Sequence, residues 1–306
     1  MRMHVQMTAA AALLSIPALA GLTIFPAPQP AAALDLETLE TRTIYGLRGP
    51  SGARDISNVV LDTTPLAEEG IASLAGRSLR TRFWTINGNG GIVPIHNHAN
   101  RPAVFTILTG EIYEYVNTAN ERILHKAGGL ALEEGRISHW WLNDGEEDVH
   151  LIAFDVFQST QDLDTVTVGD VPAAADFELP ETQGARHDLL GVVNIASHFD
   201  SAFGEGWALT TYRTTIEPGG VFPAFTTAGE PVQMFVWRGQ VTEHRSDVGD
   251  PLTIDAEGGS TLSGGALAWW ENTGDEPAVL YFGVVEPIAE TEGVERVGTL
   301  AHGSHQ

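Results

Sequence analysis

Three histidines are the side chains of this chain best suited to hold a metal ion. His96 and His98 lie two residues apart in the stretch Pro94-Ile-His-Asn-His98. Successive side chains of a β-strand point to opposite faces, so both imidazoles are expected to point the same way. A third imidazole, His139, comes from a later stretch of similar character, 135–143. If the three converge inside a β-barrel they form a metal site, which is the leading hypothesis for the chemistry.

An internal repeat organises the rest of the chain. When the sequence is aligned with itself at an offset of about 129 residues, the turn residues and strand patterns of the two halves match. The alignment needs one shift of a single residue, which later reverses. A repeat of this length indicates a duplicated domain, so both halves are expected to share one fold. The matches include Gly90-Gly91 with Gly219-Gly220, Gly110 with Gly239, Glu114 with Glu243, Trp140-Trp141 with Trp269-Trp270 and Asn143 with Asn272.

The three histidines are missing from the second half as a set. His96, His98 and His139 align with Phe225, Thr227 and Ala268. Histidines that merely fill a core have no reason to be lost together, whereas ligands of one ion do. The comparison therefore favours a metal site over packed core histidines, and it predicts that the second barrel is metal-free and mainly structural.

The secondary-structure signals are those of an all-β protein. Short apolar runs at regular spacing end in turns that contain glycine, which predicts sandwiches or barrels. One short helix is expected at Leu66–Ala75. The strands are expected at Ser78–Ile86, Ala103–Leu108, Ile112–Val116, Ile123–His125, Val149–Phe157, Trp207–Ile216 and Val232–Trp237.

The N-terminus resembles a secretory signal peptide. A weakly positive start at Arg2 precedes an apolar run. Ala18-Leu19-Ala20 offers a small-residue cleavage site, and Ala31-Ala32-Ala33 offers a later one. We therefore expect an exported protein, periplasmic or secreted, without a stable membrane span after cleavage; an uncleaved anchor is the alternative. The predicted segments are 1–33 (signal peptide and spacer), 40–158 (N-terminal barrel with the metal site), 159–186 (linker), 187–290 (C-terminal barrel without ligands) and 291–306 (flexible tail).

Composition excludes several functions. Of the 306 residues, 40 are acidic and 16 basic, which gives a formal net charge of −24. Nucleic-acid binding needs a basic surface, and anionic membranes attract basic segments, so neither is expected as a partner. The chain has no cysteine, which excludes disulfides, thiolate catalysis and cysteine-ligated zinc.

The histidine motifs resemble those of the cupin superfamily. Gly90, His96, His98 and Gly110 match the first cupin motif, and His139 matches the second together with Asn143. The glutamate of the first motif falls at Ala103, which departs from the pattern. The resemblance implies two tandem jelly-roll barrels, a bicupin, with a metal site only in the N-terminal barrel.

The resemblance also implies an activity. Three neutral imidazoles would leave the ion its full +2 charge and open coordination positions, the arrangement of a catalytic site. Cupins of this kind resemble Fe(II) dioxygenases, so Fe(II) is favoured; others bind Mn, Ni or Zn and act as isomerases, lyases or decarboxylases. A non-catalytic periplasmic protein that binds a small molecule or sugar acid is the alternative. A structural protein with a residual site is a third reading.

Several other side chains are candidates for the same site. A fourth ligand or a place in the pocket is assigned to Glu114, Tyr113 or His125. A positive centre favours an anionic or chelating small molecule, whose carboxylate Arg101 would hold. Phe105 shares the face of Ala103 and, like Trp141, is expected to line an apolar pocket. The sequence leaves a monomer and a homodimer open.

Overall fold

The computed structural model describes residues 38–67, 71–133, 135–159, 177–198, 203–223, 230–262 and 265–288. All of them belong to one compact unit, Ala33–Gln306. The predicted signal peptide, the flexible tail and most of the predicted linker lie outside the described residues, as do Phe225 and Thr227.

The described chain is built almost entirely of β-strands, which confirms the predicted all-β class. The strands are β1 (Thr41–Ile44), β2 (Leu47–Pro50), β3 (Ile56–Pro65), β4 (Arg77–Ile86), β5 (Gly91–Asn97), β6 (Ala103–Thr109), β7 (Glu111–Val116), β8 (Ile123–Lys126), β9 (Leu130–Glu133), β10 (Ser138–Asn143), β11 (Val149–Gln158), β12 (Gln183–Asn194), β13 (Trp207–Pro223), β14 (Val232–Arg238), β15 (Gln240–Arg245), β16 (Leu252–Asp255), β17 (Gly259–Leu262), β18 (Ala268–Glu271) and β19 (Ala278–Pro287).

In the first half of the chain, β1 and β2 form a two-stranded sheet, and the other strands form two larger sheets. One has the strand order β5-β10-β7-β8 and the other β3-β4-β11-β6-β9. In β7, the buried side chains of Ile112, Glu114 and Val116 alternate with more exposed ones, as expected for a strand with one face toward solvent. Strand β6 is buried on both faces along nearly its whole length. Its outer face is covered because the second half of the chain packs against it.

The second half forms a single sheet that curls into a nearly closed barrel. Its main strand order is β16-β15-β18-β13-β19-β14-β17, and β12 adds to β13. Strand β13 is 17 residues long and runs through the region where the first half breaks into β4 and β5. Its first part pairs with β19 and its last residues pair with β18, so one bent strand serves both sides of the barrel. These architectures are consistent with jelly-roll barrels.

The aligned asparagines make the same hydrogen bonds in both halves. The Nδ2 atom of Asn143 donates to the carbonyl oxygens of Ile86 and Glu147, at 2.9 and 2.8 Å. The Nδ2 atom of Asn272 donates to those of Ile216 and Glu276, at 2.7 and 2.8 Å. Both asparagines are fully buried. Asn143 thereby links the turn before β11 to the end of β4, and Asn272 links the turn before β19 to Ile216 within β13. The matching asparagines of the two halves thus have the same structural role.

A shared hydrophobic core joins the two halves. Phe154 and Val104 of the first half and Phe235 and Leu209 of the second belong to the same buried cluster. A methyl group at Gly283 would overlap the ring of Phe154, so only glycine lets the ring approach β19 this closely. The outer face of the first barrel is therefore covered by apolar packing against the second.

Two sequence expectations differ from the structure in detail. The sequence predicts a helix over Leu66–Ala75, but the described residues of this segment form only one 3-10 turn, at Ala72–Leu74. The segment places Leu66 and Leu74 in the shared core without forming an α-helix. Strand β12 begins at Gln183, inside the predicted linker. Within the described ranges, no helix has the length and hydropathy of a transmembrane span.

Replacing Phe154 with Ala is expected to lower the free energy of unfolding by about 3–5 kcal/mol, because it leaves a cavity in the core that both halves share. Urea denaturation followed by tryptophan fluorescence measures the loss. The control is Leu124→Ala at a position that is 37% exposed, where a change within about 0.5 kcal/mol is expected. Similar stability of the two variants would contradict the shared core.

Candidate metal centre

The pairing of β5 with β10 brings the histidines together. His139 lies directly opposite His96 in this antiparallel pair, so their side chains emerge on the same face. His98 follows His96 by two residues and also points into the barrel. His98 and His139 are fully buried, while His96 is partly exposed. The register of one strand pair therefore places three imidazoles at one point of the interior.

The Nε2 atoms of the three rings face one another. His96 Nε2 lies 3.1 Å from His98 Nε2 and 3.0 Å from His139 Nε2. The ring centroids of His98 and His139 are 5.0 Å apart. One nitrogen of each ring lies within 4.8 Å of one nitrogen of the others, close enough for all three to contact a single ion.

Hydrogen bonds at the opposite nitrogen fix the tautomer of each ring. The Nδ1 atoms of His96, His98 and His139 face oxygen acceptors: the carbonyls of Pro94 and Arg101, at 2.9 and 2.8 Å, and Glu114 Oε1, at 2.5 Å. A carbonyl or carboxylate oxygen only accepts, so Nδ1 carries the proton and Nε2 a lone pair.

The converging Nε2 atoms have too few hydrogen-bond donors nearby to satisfy their lone pairs. Burial, followed by the neighbouring His139, lowers the pKa of both His96 and His98 well below the ordinary value, so these rings are neutral. The Nη2 atom of Arg101 lies 3.3 Å from His98 Nε2 and can donate to that one lone pair. Converging lone pairs repel one another, and a cation between them removes the repulsion. The donor set fits a divalent metal ion.

Glu114 holds the third imidazole from behind. Its Oε1 accepts from His139 Nδ1, and its Oε2 lies 2.8 Å from His125 Nε2. Burial alone would raise the pKa of Glu114, but hydrogen bonds from His125 and His139 lower it below its ordinary value, so the carboxylate is ionised. The indole N–H of Trp141 also approaches His139 Nδ1, at 2.9 Å. We assign the Nδ1 proton from the shorter contact with the carboxylate.

A second buried carboxyl group, Glu133, lies on the same side of His139. Glu133 stands directly opposite Ala103 in the pairing of β6 with β9, so both share a face. Its Oε1 atom is 3.2 Å from His139 Nδ1, yet neither oxygen has a hydrogen-bond donor. Burial, and then the charge of Glu114, raise the pKa of Glu133 well above its ordinary value, and Arg101 opposes the shift. A carboxyl group thus stands beside the position where the cupin motif has its glutamate.

Arginines gather beside the triad. Asp155 is fully buried and accepts hydrogen bonds from Arg80, at 2.9 and 2.7 Å, and from Arg82, at 2.8 Å. Arg101 Nε is farther away, 3.8 Å from Asp155 Oδ2. Arginine side chains are charged at neutral pH, and this holds for Arg82 although burial lowers its pKa to about 10. Asp155 offsets only one of these charges, and this end of the barrel therefore favours an anion.

An open pocket leads to the triad from this end. Its volume is about 470 Å³, and Arg42, Arg82, Arg101, Trp84 and His96 are among its lining residues. A smaller, mostly apolar cavity of about 20 Å³ lies deeper, lined by Val93, Phe105, Trp141 and Leu151 together with Trp84, His96 and Arg101. The inner cavity has room for little more than one water-sized group.

The comparisons with known proteins are informative about the fold. No protein-family model matches the sequence, and no curated protein matches it either. Similar solved structures include a cupin 2 conserved barrel domain protein from Leptotrichia buccalis (9% identity, 77% of this chain and 91% of that one, TM-score 0.44). They also include a variant of oxalate decarboxylase from Bacillus subtilis (14%, 81% and 75%, 0.49) and salicylate 1,2-dioxygenase from Pseudaminobacter salicylatoxidans (13%, 70% and 72%, 0.46).

All three of these structures are less than 25% identical to this chain, and all three TM-scores are below 0.5. Similarity at this level carries no information about activity, and the chemistry of the first barrel follows from its own residues.

The other side chains predicted for the site lie at different distances from the triad. Phe105 and Trp141 line the inner cavity, and Arg101 lines both cavities. Glu114 and His125 lie behind His139, as described above. Tyr113 lies apart from them: it is partly exposed on β7, and the guanidinium of Arg122 stacks on its ring at 3.6 Å.

The second barrel has different side chains at the matching positions. Ala268, the counterpart of His139, is fully buried. Glu243, the counterpart of Glu114, accepts hydrogen bonds from Ser260 and from the indole of Trp270, at 2.9 and 3.1 Å. Among the described residues, both groups of three close metal-binding side chains contain His139, and so both lie in the first barrel.

Sequence reasoning missed Glu133 and Arg82. The repeat contains a signal for Glu133. In the second half Val232 corresponds to Ala103, and the residue opposite Val232 is Leu262, so an apolar side chain stands where the first half has Glu133. Reading that signal requires the register between β6 and β9. Arg82 falls within a predicted strand and joins the site only through its pairing with β11.

Replacing Glu133 with Gln is expected to stabilise the metal-free protein at pH 7 by about 1–3 kcal/mol, because a buried carboxyl group without a donor is costly. The unfolded state ionises above about pH 4.3, while the raised pKa keeps the folded state protonated. The wild-type protein therefore loses stability as the pH rises above that value, and the variant does not.

Urea unfolding of chelator-treated protein between pH 4 and 8 measures this difference. The control is Glu111→Gln, whose carboxylate is exposed and pairs with Lys126 on the surface. The advantage of Glu133→Gln should vanish near pH 4; an advantage that does not vary with pH would contradict the buried, protonated carboxyl.

Proposed function

We propose that the first barrel is a mononuclear metal centre that acts on a small anionic molecule. The observation that carries the proposal is the orientation of three imidazoles whose Nδ1 atoms face oxygen acceptors and whose Nε2 atoms converge on one point. His96, His98 and His139 would be the ligands. Fe(II) is favoured, and Mn, Ni and Zn suit the same donors.

Charge supports an anionic substrate. A dication held by the triad would lie close to Arg101, whose Nη2 atom is 3.3 Å from His98 Nε2. Two cations this close repel one another, and a carboxylate or enolate between them would relieve the repulsion. Arg82 adds a second positive charge to the same pocket. A planar guanidinium binds a carboxylate through two parallel hydrogen bonds, which would orient the substrate.

The walls of the pocket support a small substrate with an apolar part. Phe105, Trp141 and Leu151 line the inner cavity beside His96 and make its walls mostly apolar. Side chains of this kind would hold the non-ionised part of the molecule, while Arg101 and Arg82 hold its charged end. The volume near the histidines limits the buried part to a few atoms.

The reaction class we propose is that of a small-molecule dioxygenase, isomerase or lyase. A bound divalent ion would act as a Lewis acid that polarises a substrate oxygen. Glu114 keeps the proton of His139 on Nδ1, so that Nε2 remains a donor to the ion throughout turnover. Arg101 orients the substrate and compensates negative charge. The N-terminal segment leads us to propose further that the mature protein works outside the cytoplasm.

Purified protein reconstituted with Fe(II) under nitrogen is expected to bind about one metal ion per chain, because only one barrel has the three imidazoles. His139→Ala is expected to lose most of this metal, as measured by elemental analysis after gel filtration. The matched control is His150→Ala, since His150 lies in the same barrel but contacts Thr85 and Phe83. Equal metal content in the two variants would refute the proposed centre.

Arg101→Ala is expected to raise the KM for a small carboxylate substrate by about 10-fold or more, because it removes a charge-assisted hydrogen bond. Oxygen uptake and substrate loss, followed in parallel over a panel of small oxo-, hydroxy- and dicarboxylates, separate oxygenase from isomerase or lyase activity. The control is Arg122→Ala, which removes an exposed guanidinium that pairs with Asp144.

The same panel tests the alternative of a binding protein. Carboxylates that bind the metal-loaded protein tightly without being consumed would favour binding without turnover over catalysis. An Arg101→Ala variant with an unchanged KM would rule out Arg101 as the substrate-binding group.

A further inference from the structure

A buried histidine from the second half of the chain contacts the backbone of the metal centre. His198 ends a 3-10 turn, Ile195–His198, and is only 5% exposed. Its Nδ1 donates to the carbonyl oxygen of His98, at 3.0 Å, and its Nε2 accepts from the backbone N–H of Gly135, at 3.3 Å. One imidazole therefore makes two hydrogen bonds to segments of the first barrel.

The first of these segments is the turn that carries a ligand and the arginine. The carbonyl oxygen of His98 also accepts from the backbone N–H of Arg101, at 3.1 Å. In return, His98 Nδ1 donates to the carbonyl oxygen of Arg101. The orientation of the His98 ring thus depends on the conformation of this turn, which His198 contacts from outside.

The second segment leads into β10 and the third ligand. Gly135 lies four residues before His139. The two segments are joined directly as well, because the backbone N–H of His98 donates to the carbonyl oxygen of Ile137, at 3.0 Å. His198 bridges the same two segments on the side of the second barrel. The spacing of the two segments that carry His98 and His139 therefore depends on His198, which lies 100 positions after His98.

The turn that presents His198 is itself well anchored. Ile195 is fully buried in the core shared by the two halves. Asn194 Oδ1 accepts from the backbone N–H of Ala196, at 3.0 Å, and Ser197 Oγ donates to the carbonyl oxygen of Asn194, at 2.7 Å. A side chain on such a turn has few conformations available, so it can hold a neighbouring loop in place.

We propose that His198 is a positioning residue of the metal centre, supplied by the barrel that lacks ligands. The inference rests on the proposed function, since it concerns the affinity of the triad for its ion. The second barrel then does more than cover apolar surface: it fixes the two loops from which His98 and His139 project.

The test compares His198→Ala, His198→Gln and His187→Ala in the full chain. Glutamine can donate one hydrogen bond and accept another, as the imidazole does, so His198→Gln is expected to keep part of the Zn(II) affinity that His198→Ala loses. His187 is the matched control, because it is a partly buried histidine of the second half that stacks on Tyr212 and Phe222 and pairs with Thr214.

The readouts are the affinity for Zn(II), measured by competition with a chromogenic chelator, and the visible spectrum of the Co(II)-loaded protein. His198→Ala is expected to weaken Zn(II) binding about 10-fold or more and to change the Co(II) ligand-field bands. His187→Ala is expected to lower stability and leave both readouts unchanged. In the metal-free protein, His198→Ala should also speed hydrogen exchange of the Gly135 and Arg101 amides.

The outcomes separate this inference from the proposed function. Wild-type protein that binds Zn(II) at the triad, with the same affinity in His198→Ala, would overturn the role of His198 alone. Wild-type protein that binds no Zn(II) at the triad would overturn both. An equal loss of affinity in His187→Ala and His198→Ala would show a general effect of stability and would also overturn the proposal.

Discussion

The convergence of three imidazole lone pairs is the constraint on which the rest of the site depends. An oxygen acceptor at Nδ1 holds a proton on that atom in each ring, so a neutral ring has only a lone pair at Nε2. An arrangement of this kind is unfavourable by itself and favourable around a cation. The chain maintains it by burying Glu114 behind His139 and by engaging the backbone carbonyls of Pro94 and Arg101.

The electrostatics of the site differ from those of the whole protein. The chain has a net charge of −24, yet three guanidinium groups surround one buried carboxylate, Asp155, at the mouth of the first barrel. Keeping Arg82 buried is costly, as the lowering of its pKa to about 10 indicates. Groups with strongly shifted pKa values are concentrated at functional sites, and binding an anion next to the proposed metal ion is a function that fits this geometry.

The sequence predicts the centre of the site but not its surroundings. The two-residue period of a strand places His96 and His98 on one face, and His139 comes from a later stretch of similar character. The joint absence of all three histidines from the second half favours a metal site over packed core histidines. The partners lie outside the reach of such patterns. Glu133 contacts the site because strand register sets it opposite Ala103, and His198 because two halves of the chain pack face to face. The same packing explains why β6 has no polar face.

The measurement that tests the central claim most directly is a crystal structure of the metal-loaded protein with anomalous scattering at the absorption edge of the metal. The account predicts one ion in the first barrel, bound by the Nε2 atoms of His96, His98 and His139 at about 2.0–2.2 Å, with Nδ1 still bonded to the oxygens described above. An ion bound through Nδ1, an ion at another place, or three imidazoles that separate with no ion between them would contradict it.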